Sequence, residues 1–342
     1  MKKYCILMVA CALLGGCTEQ EENDVVVEKV VEKLPLNSPK PAMCNDSLLE
    51  NTLSCMLQEN MVERNCDKGA LYVVETRTGR IKANVSLERK NTTFVPWKDV
   101  YAKEQSTMES GSTYLALLST GRISVDDVID TENGVYKEVR DHNWMKGGFG
   151  PITLEQALGY RSLVAFTKAK EQAFANNPAE YDNKISKYMG GQPNEAMGML
   201  NFYNTVANGG RMVKLVSEED CVTVLDEQIE ERKYIEELQR GLSKAVSYGY
   251  YKKAGRPYTY VAACGRTFKK SGNTWRMELC GYFPADNPMY TIMVITEKDR
   301  LPASAGGICG PIMANAIDII VEHYNLRSMI DVIEESTKSA VV

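Results

Sequence analysis

Histidine is almost absent: His142 and His323 are the only two in 342 residues. A histidine-based triad or a multi-histidine metal site has little to draw on. No C-x-x-C spacing occurs among the ten cysteines, which argues against a zinc site. No metal and no cofactor is expected. No stretch carries a dense run of Lys or Arg, and net charge is -5, so nucleic acid is not an expected partner. The N-terminal apolar run, Tyr4 to Leu14, is too short to span a bilayer, which needs ~20 residues.

That short run follows Met1-Lys2-Lys3 and ends in Leu14-Gly15-Gly16-Cys17. A basic start and a short apolar core fit a secretory signal. The ending "LLGGC" resembles the bacterial lipoprotein cleavage box. The resemblance implies a signal peptide over 1–16, cleavage before Cys17, and lipidation of that cysteine. The expected location is the cell envelope, membrane-anchored, on the periplasmic or surface face. Losing Lys2 and Lys3 leaves 38 basic against 45 acidic residues, a mature charge near -7. Seven cysteines remain besides Cys17. An odd number leaves at least one thiol unpaired, and spacing alone does not say which pair.

Residues 17–43 are charged and then proline-rich, with no sustained core pattern, and read as a tether. From 44 the pattern tightens. Leu48, Leu49, Leu53, Met56, Leu57 and Met61 recur at helical spacing behind Asp46 or Ser47 as cap. Residues 69–75 and 81–85 read as a hairpin about Thr78-Gly79. Thr153-x-x-Gln156 is a capping box. Residues 193–208 and 227–247 have helical periodicity. The chain closes with strands at 258–268, 275–284 and 289–296 and a helix at 311–324. The layout predicts an α+β domain over 44–330: an antiparallel sheet flanked by helices, with a large helical insertion. Residues 331–342 form a C-terminal tail.

Six collinear segments from residue 45 onward carry a family resemblance. They are "GALYVVETRTGRIKANVS", "MESGSTYLALLSTGRISVDDVID", "GPITLEQALGYRSLVAF", "NFYNTVANGGRMVKL", "GYFPADNPMYTIMVITE" and "GGICGPIMANAIDII". Together they resemble the transpeptidase domain of class B penicillin-binding proteins. Residues 17–43 leave no room for the long N-terminal pedestal of full-length members. The resemblance implies S-x-x-K, S-x-N and K-T-G-type motifs. The serine would be acylated, the lysine would take its proton, and the third strand would bind the substrate carboxylate and lend an oxyanion-hole N–H.

Mapped residue by residue, the first motif falls on Ser112-Thr113-Tyr114-Leu115: the serine stays and leucine replaces the lysine. The second falls on Arg161-Ser162-Leu163, with Arg161 and Leu163 at the functional positions. The third falls on Cys264-Gly265-Arg266-Thr267, where the closing threonine alone matches. Lys270-Ser271-Gly272 is a rival K-S-G register, but Ser271-Gly272-Asn273 is better turn chemistry between two strands.

Ser112 is therefore a vestigial nucleophile position, retained as a helix cap. Arg161 is expected to plug the vacant groove by pairing with an acid; its fork would also suit a bound carboxylate. Arg161 and Thr267 are the candidate substrate-binding residues. Arg161 and Arg266 together are expected to narrow the groove and make it positive.

Two function classes follow. One is a catalytically inactive envelope lipoprotein, acting in peptidoglycan-related binding or regulation, with a peptidoglycan peptide or an envelope protein as partner. The other is a residual serine D,D-transpeptidase or carboxypeptidase-type enzyme, using Ser112 with a base outside the family set, such as Lys270.

Overall fold

The computed structural model describes residues 46–100, 110–191, 195–217 and 221–326. The signal segment, the tether, Cys17, Cys44, Glu109 and the tail at 331–342 lie outside the described residues. Helix α1 (Ser47–Glu63) starts where the Asp46 side chain accepts the Leu49 N–H at 3.1 Å. Leu49, Leu53, Leu57 and Met61 form its buried stripe. Strands β1 (Lys68–Glu75), β2 (Arg80–Lys90) and β3 (Thr93–Pro96) follow.

The middle of the chain is helical. It holds α2 (Ser110–Leu118), α3 (Leu154–Tyr160), α4 (Leu163–Ala173), α5 (Pro178–Tyr188), α6 (Glu195–Ala207) and α7 (Arg232–Ser247). Between them lie β4 (Val128–Asp130) paired with β7 (Pro151–Thr153), β5 (Val135–Tyr136) with β6 (Val139–Arg140), and β8 (Met212–Val213) with β9 (Val224–Asp226). The capping box at the start of α3 forms as expected: Thr153 accepts from Gln156 N and Gln156 accepts from Thr153 N.

The last part returns to strand: β10 (Ala262–Ser271), β11 (Thr274–Phe283), β12 (Tyr290–Asp299), then α8 (Gly310–His323). The main sheet runs β10-β11-β12-β1-β2-β3, antiparallel throughout. The early hairpin and the late strands thus join one sheet, and the helices between β3 and β10 are an insertion. One face packs α1. Gly69 on β1 allows the close approach, since a Cβ there would lie 2.8 Å from Met61 Sδ. The opposite face receives α6, where Asn204 accepts from Thr291 of β12 at 3.0 Å. Ala305–His323 is long and apolar enough to cross a membrane by length and composition, but 61% of that window is buried inside the fold, as in a core helix.

Several element bounds differ from the sequence expectation. Helix α7 begins at Arg232 rather than 227, because 224–226 pair as a strand and Gln228 turns back on Gly209 and Glu230. Strand β10 lies four residues later than 258, since Tyr258 is drawn to Asp318 of α8. Strand β3 and helices α4 and α5 were not marked by periodicity; the buried stripes of α4 and α5 are built largely from Ala and Tyr.

Candidate functional site

Every residue of α2 is buried, because strand β10 of the sheet and four helices of the insertion, α3, α4, α5 and α7, surround it. Ser112 is its third residue and is 1% exposed. It therefore lies inside the first turn and is not the cap, which corrects the expectation above: the helix begins two residues earlier. Thr113 shares a 2.9 Å hydrogen bond with the Tyr181 hydroxyl, fastening α2 to α5. Leu115, one turn beyond Ser112, belongs to the core.

Arg161 and Ser162 make the junction between α3 and α4. Arg161 is the C-cap of α3 at φ 58, ψ 49, a left-handed backbone that non-glycine residues rarely adopt. Ser162 is the N-cap of α4, accepting from Ala165 N at 3.1 Å. Its hydroxyl donates to Asp141 at 2.8 Å, and Asp141 also accepts from Val164 N at 3.1 Å. Burial raises the Asp141 pKa, and these hydrogen bonds pull against that shift. Leu163, where the resembling motif has its asparagine, opens α4 and is half-buried.

The Arg161 side chain is 7% exposed. Its Nη2 donates to the Thr267 carbonyl oxygen at 3.2 Å, and its guanidinium lies 5.8 Å from the centre of the Tyr250 ring. Nε is buried with no hydrogen-bond acceptor among the described residues. No carboxylate among the described residues pairs with it. The expected acid partner is thus replaced by a backbone carbonyl. His142 packs on Tyr250 at 4.8 Å and on Phe149 at 5.5 Å. Partial desolvation, and then the nearby Arg161 charge, hold the His142 pKa below its usual value.

On β10, Gly265 and Thr267 turn their carbonyls to the sheet's outer edge. Gly265 accepts from the buried Tyr251 hydroxyl at 2.6 Å, and Thr267 accepts from Arg161. The Thr267 hydroxyl accepts from Ala305 N at 2.9 Å, tying β10 to the π turn Ala305–Cys309 that leads into α8. Cys264 is buried and its sulfur donates to the Tyr251 hydroxyl at 3.6 Å.

Arg266, 4% exposed, behaves differently from Arg161. It donates to Glu278 and to Glu195, each at 2.6 Å. Glu278 also accepts from Arg276 at 2.6 Å, and Arg276 reaches Glu297 at 3.0 Å. Lys270 donates to the same Glu297 oxygen at 3.0 Å. This is a ladder of alternating charge across β10, β11 and β12. Burial alone would raise the Glu278 pKa, but Arg266 and Arg276 outweigh it and leave the carboxyl below its usual value. The expectation of a positive groove is therefore corrected at Arg266, whose charge is compensated by Glu195 and Glu278; Arg161 is buried against the Thr267 carbonyl instead. Lys270, the suggested alternative base, lies at the end of β10 within this ladder, just before the Gly272-Asn273 turn.

Asp141, Tyr250, Glu195 and Glu278 escaped the sequence reading. Counting pairs back from the Gly272-Asn273 turn places Glu278 near Arg266, so that partner carried a usable signal. Tyr250 and Asp141 carried none, because only the folded loops bring them to Arg161 and Ser162. Among the described residues no three His, Cys, Asp or Glu side chains cluster as metal ligands.

Residues 195–318 match the penicillin binding protein transpeptidase domain family. Among solved structures, the apo TP domain of Burkholderia pseudomallei penicillin-binding protein 3 superposes with a TM-score of 0.68 at 16% identity, over 83% of this chain and 96% of that one. A peptidoglycan glycosyltransferase from Burkholderia ambifaria gives 0.68 at 18% identity, over 83% and 98%. The transpeptidase domain of the FtsI4 D,D-transpeptidase from Legionella pneumophila gives 0.58 at 16% identity, over 81% and 97%. A search of curated proteins returns no match. Edge strand, buried serine helix and final helix therefore belong to a penicillin-binding-protein-type transpeptidase fold, with the family's sequence pattern matched over residues 195–318.

Proposed function

We propose that this chain is a cell-envelope lipoprotein whose transpeptidase-type domain performs no acyl transfer and serves in peptidoglycan-related binding or regulation. One observation carries the reading: Ser112 is buried one turn ahead of an apolar Leu115, with no lysine at that position. A serine nucleophile needs a base within hydrogen-bond reach and an open approach for the carbonyl. Leucine takes no proton, and general-base catalysis alone supplies roughly 10²- to 10⁴-fold. The Arg161 bond to Thr267 supports the same reading, since it occupies an acceptor on the edge where an extended peptide would pair.

The partner is a wall peptide or an envelope protein presenting a carboxylate. Arg161 favours this, being a buried cation with no acidic partner among the described residues and one N–H without an acceptor. Such a ligand would exchange a neutral carbonyl for a charged, two-pronged acceptor. Lipidation at Cys17 would hold the domain at the membrane.

The deciding experiment is incubation of the full chain with a fluorescent penicillin, followed by peptide mass spectrometry. No adduct is expected. An adduct on Ser112 that disappears in Ser112→Ala would establish the residual-enzyme alternative instead. Intact mass of the membrane-extracted protein should show an acylated N-terminal cysteine; an unmodified Cys17 would remove the anchor from the proposal.

A further inference from the structure

Cys264 of β10 and Cys280 of β11 are direct partners in the antiparallel ladder. Directly opposed residues point to the same face, and both side chains are fully buried there. Both are present as thiols. The carbonyls of Gly265 and Thr267 face the outer edge, so the alternate residue Cys264 turns its backbone groups toward β11. This makes Cys264 and Cys280 a hydrogen-bonded pair, with a Cα separation of about 5.5 Å. That value falls within the roughly 4.4–6.8 Å range of disulfides. The Cβ atoms start about 5 Å apart and must close to about 3.8 Å, which requires a small local pinch of the two strands.

We infer that Cys264 and Cys280 form a reversible cross-strand disulfide. The pinch stores strain in the oxidised form, and strained disulfides are the more easily reduced ones. The reaction is a thiol–disulfide exchange. One thiolate attacks a disulfide of the oxidant class, either oxidised glutathione or a dithiol oxidase, and expels one oxidant thiol. The second thiol then displaces the other oxidant sulfur. The Sγ–Sγ bond forms, the oxidant's S–S bond breaks, and two protons and two electrons pass to the oxidant. β10 has a strand neighbour on one side only. Its opening along the outer edge, or its late pairing during folding, gives the oxidant access.

Closure also removes a hydrogen bond. The Cys264 thiol donates to the Tyr251 hydroxyl, which itself donates to the Gly265 carbonyl on the outer edge. Oxidation takes away that thiol donor while leaving Tyr251 on Gly265. This inference does not rest on the proposed function, because it concerns a sulfur pair and a hairpin rather than the groove.

The test uses the purified full chain refolded in glutathione buffers of rising oxidised fraction. Thiols are trapped with iodoacetamide in denaturant without reductant, then the protein is digested with trypsin. Cleavage after Arg266, Lys269, Lys270 and Arg276 puts the two cysteines on separate peptides. Expected is a linked pair of peptides joining Cys264 to Cys280, about 2 Da lighter than the two single-thiol peptides together because one hydrogen is lost from each. It should account for most of both cysteines at the oxidising end and vanish on return to reduced glutathione, while buried Cys66 and Cys309 stay alkylated. Cys264→Ser should leave Cys280 alkylated at every ratio. Full alkylation of both cysteines throughout in the wild-type chain, or linkage of Cys264 to a different cysteine, overturns the inference. The wild-type peptide map decides the matter even where the serine variant does not refold.

Discussion

Arg161 Nη2 donates to the carbonyl oxygen of Thr267 across 3.2 Å, joining the α3–α4 junction to the edge of β10. The two residues are 106 positions apart in sequence, and each stands in a segment that resembles a transpeptidase motif. Their bond puts a guanidinium where the resembling motif has a serine. It also occupies the outward acceptor of the strand that would hold substrate.

The first prediction concerns restoring the missing base. Leu115→Lys places an ammonium among fully buried apolar residues. Loss of the leucine's packing alone costs ~2–5 kcal/mol, and burial of the charge adds to it. A large fall in the denaturation midpoint is expected, with no labelling by penicillin. Labelling of a stably folded Leu115→Lys variant would show that the missing lysine was the sole defect.

A second prediction separates backbone from side chain at Arg161. Arg161→Ala and Arg161→Gly both lose the Thr267 bond and the Tyr250 contact, but glycine accepts φ 58 without strain. The glycine variant should be the more stable of the two by ~1 kcal/mol. Equal urea midpoints for the two variants would contradict a left-handed backbone at this residue.

The third uses His142 as a reporter. Its pKa is depressed first by desolvation and second by the Arg161 charge. Arg161→Asn, which tolerates the left-handed backbone, should raise the midpoint of the imidazole NMR titration. The rise should stop short of the ordinary histidine value, because desolvation remains. An unchanged midpoint would mean that the two groups do not sense one another.

The fourth concerns acid stability. Glu278 has a folded-state pKa below its unfolded value, held there by Arg266 and Arg276 against burial. A depressed carboxylate contributes stability that is fully present above its unfolded pKa, ~4.3. That stability is lost as pH falls through the folded pKa. Glu278→Gln should cost ~3–5 kcal/mol at neutral pH, because two buried guanidinium groups lose their shared partner. It should also flatten the acid side of the stability profile. A variant with the wild-type acid slope would show that the ladder does not drive acid unfolding.

Much of the architecture is legible in the residues, for local reasons. The Asp46 cap, the α1 stripe, the Thr153–Gln156 box and the Gly272-Asn273 turn are all short-range chemistry, and each forms as expected. The alternation and length of the late strands brought them close to their observed bounds. The candidate site was legible as a set of positions but not as a set of contacts. Ser112 was expected as a cap and lies within the first turn; Arg161 was expected to meet an acid and meets a carbonyl.

Sequence by itself determined the antiparallel sheet with its helical insertion, Leu115 three residues after Ser112, and the scarcity of histidine, because periodicity, capping and residue identity are local properties. Tertiary structure alone decided that Arg266 also meets Glu195, 71 positions away, while Arg161 has no acidic partner among the described residues. The physical reason is that a charge's partner depends on which distant strand or loop the fold sets within ~4 Å of it, and attraction falls off too steeply with distance and dielectric for residue type alone to fix that partner.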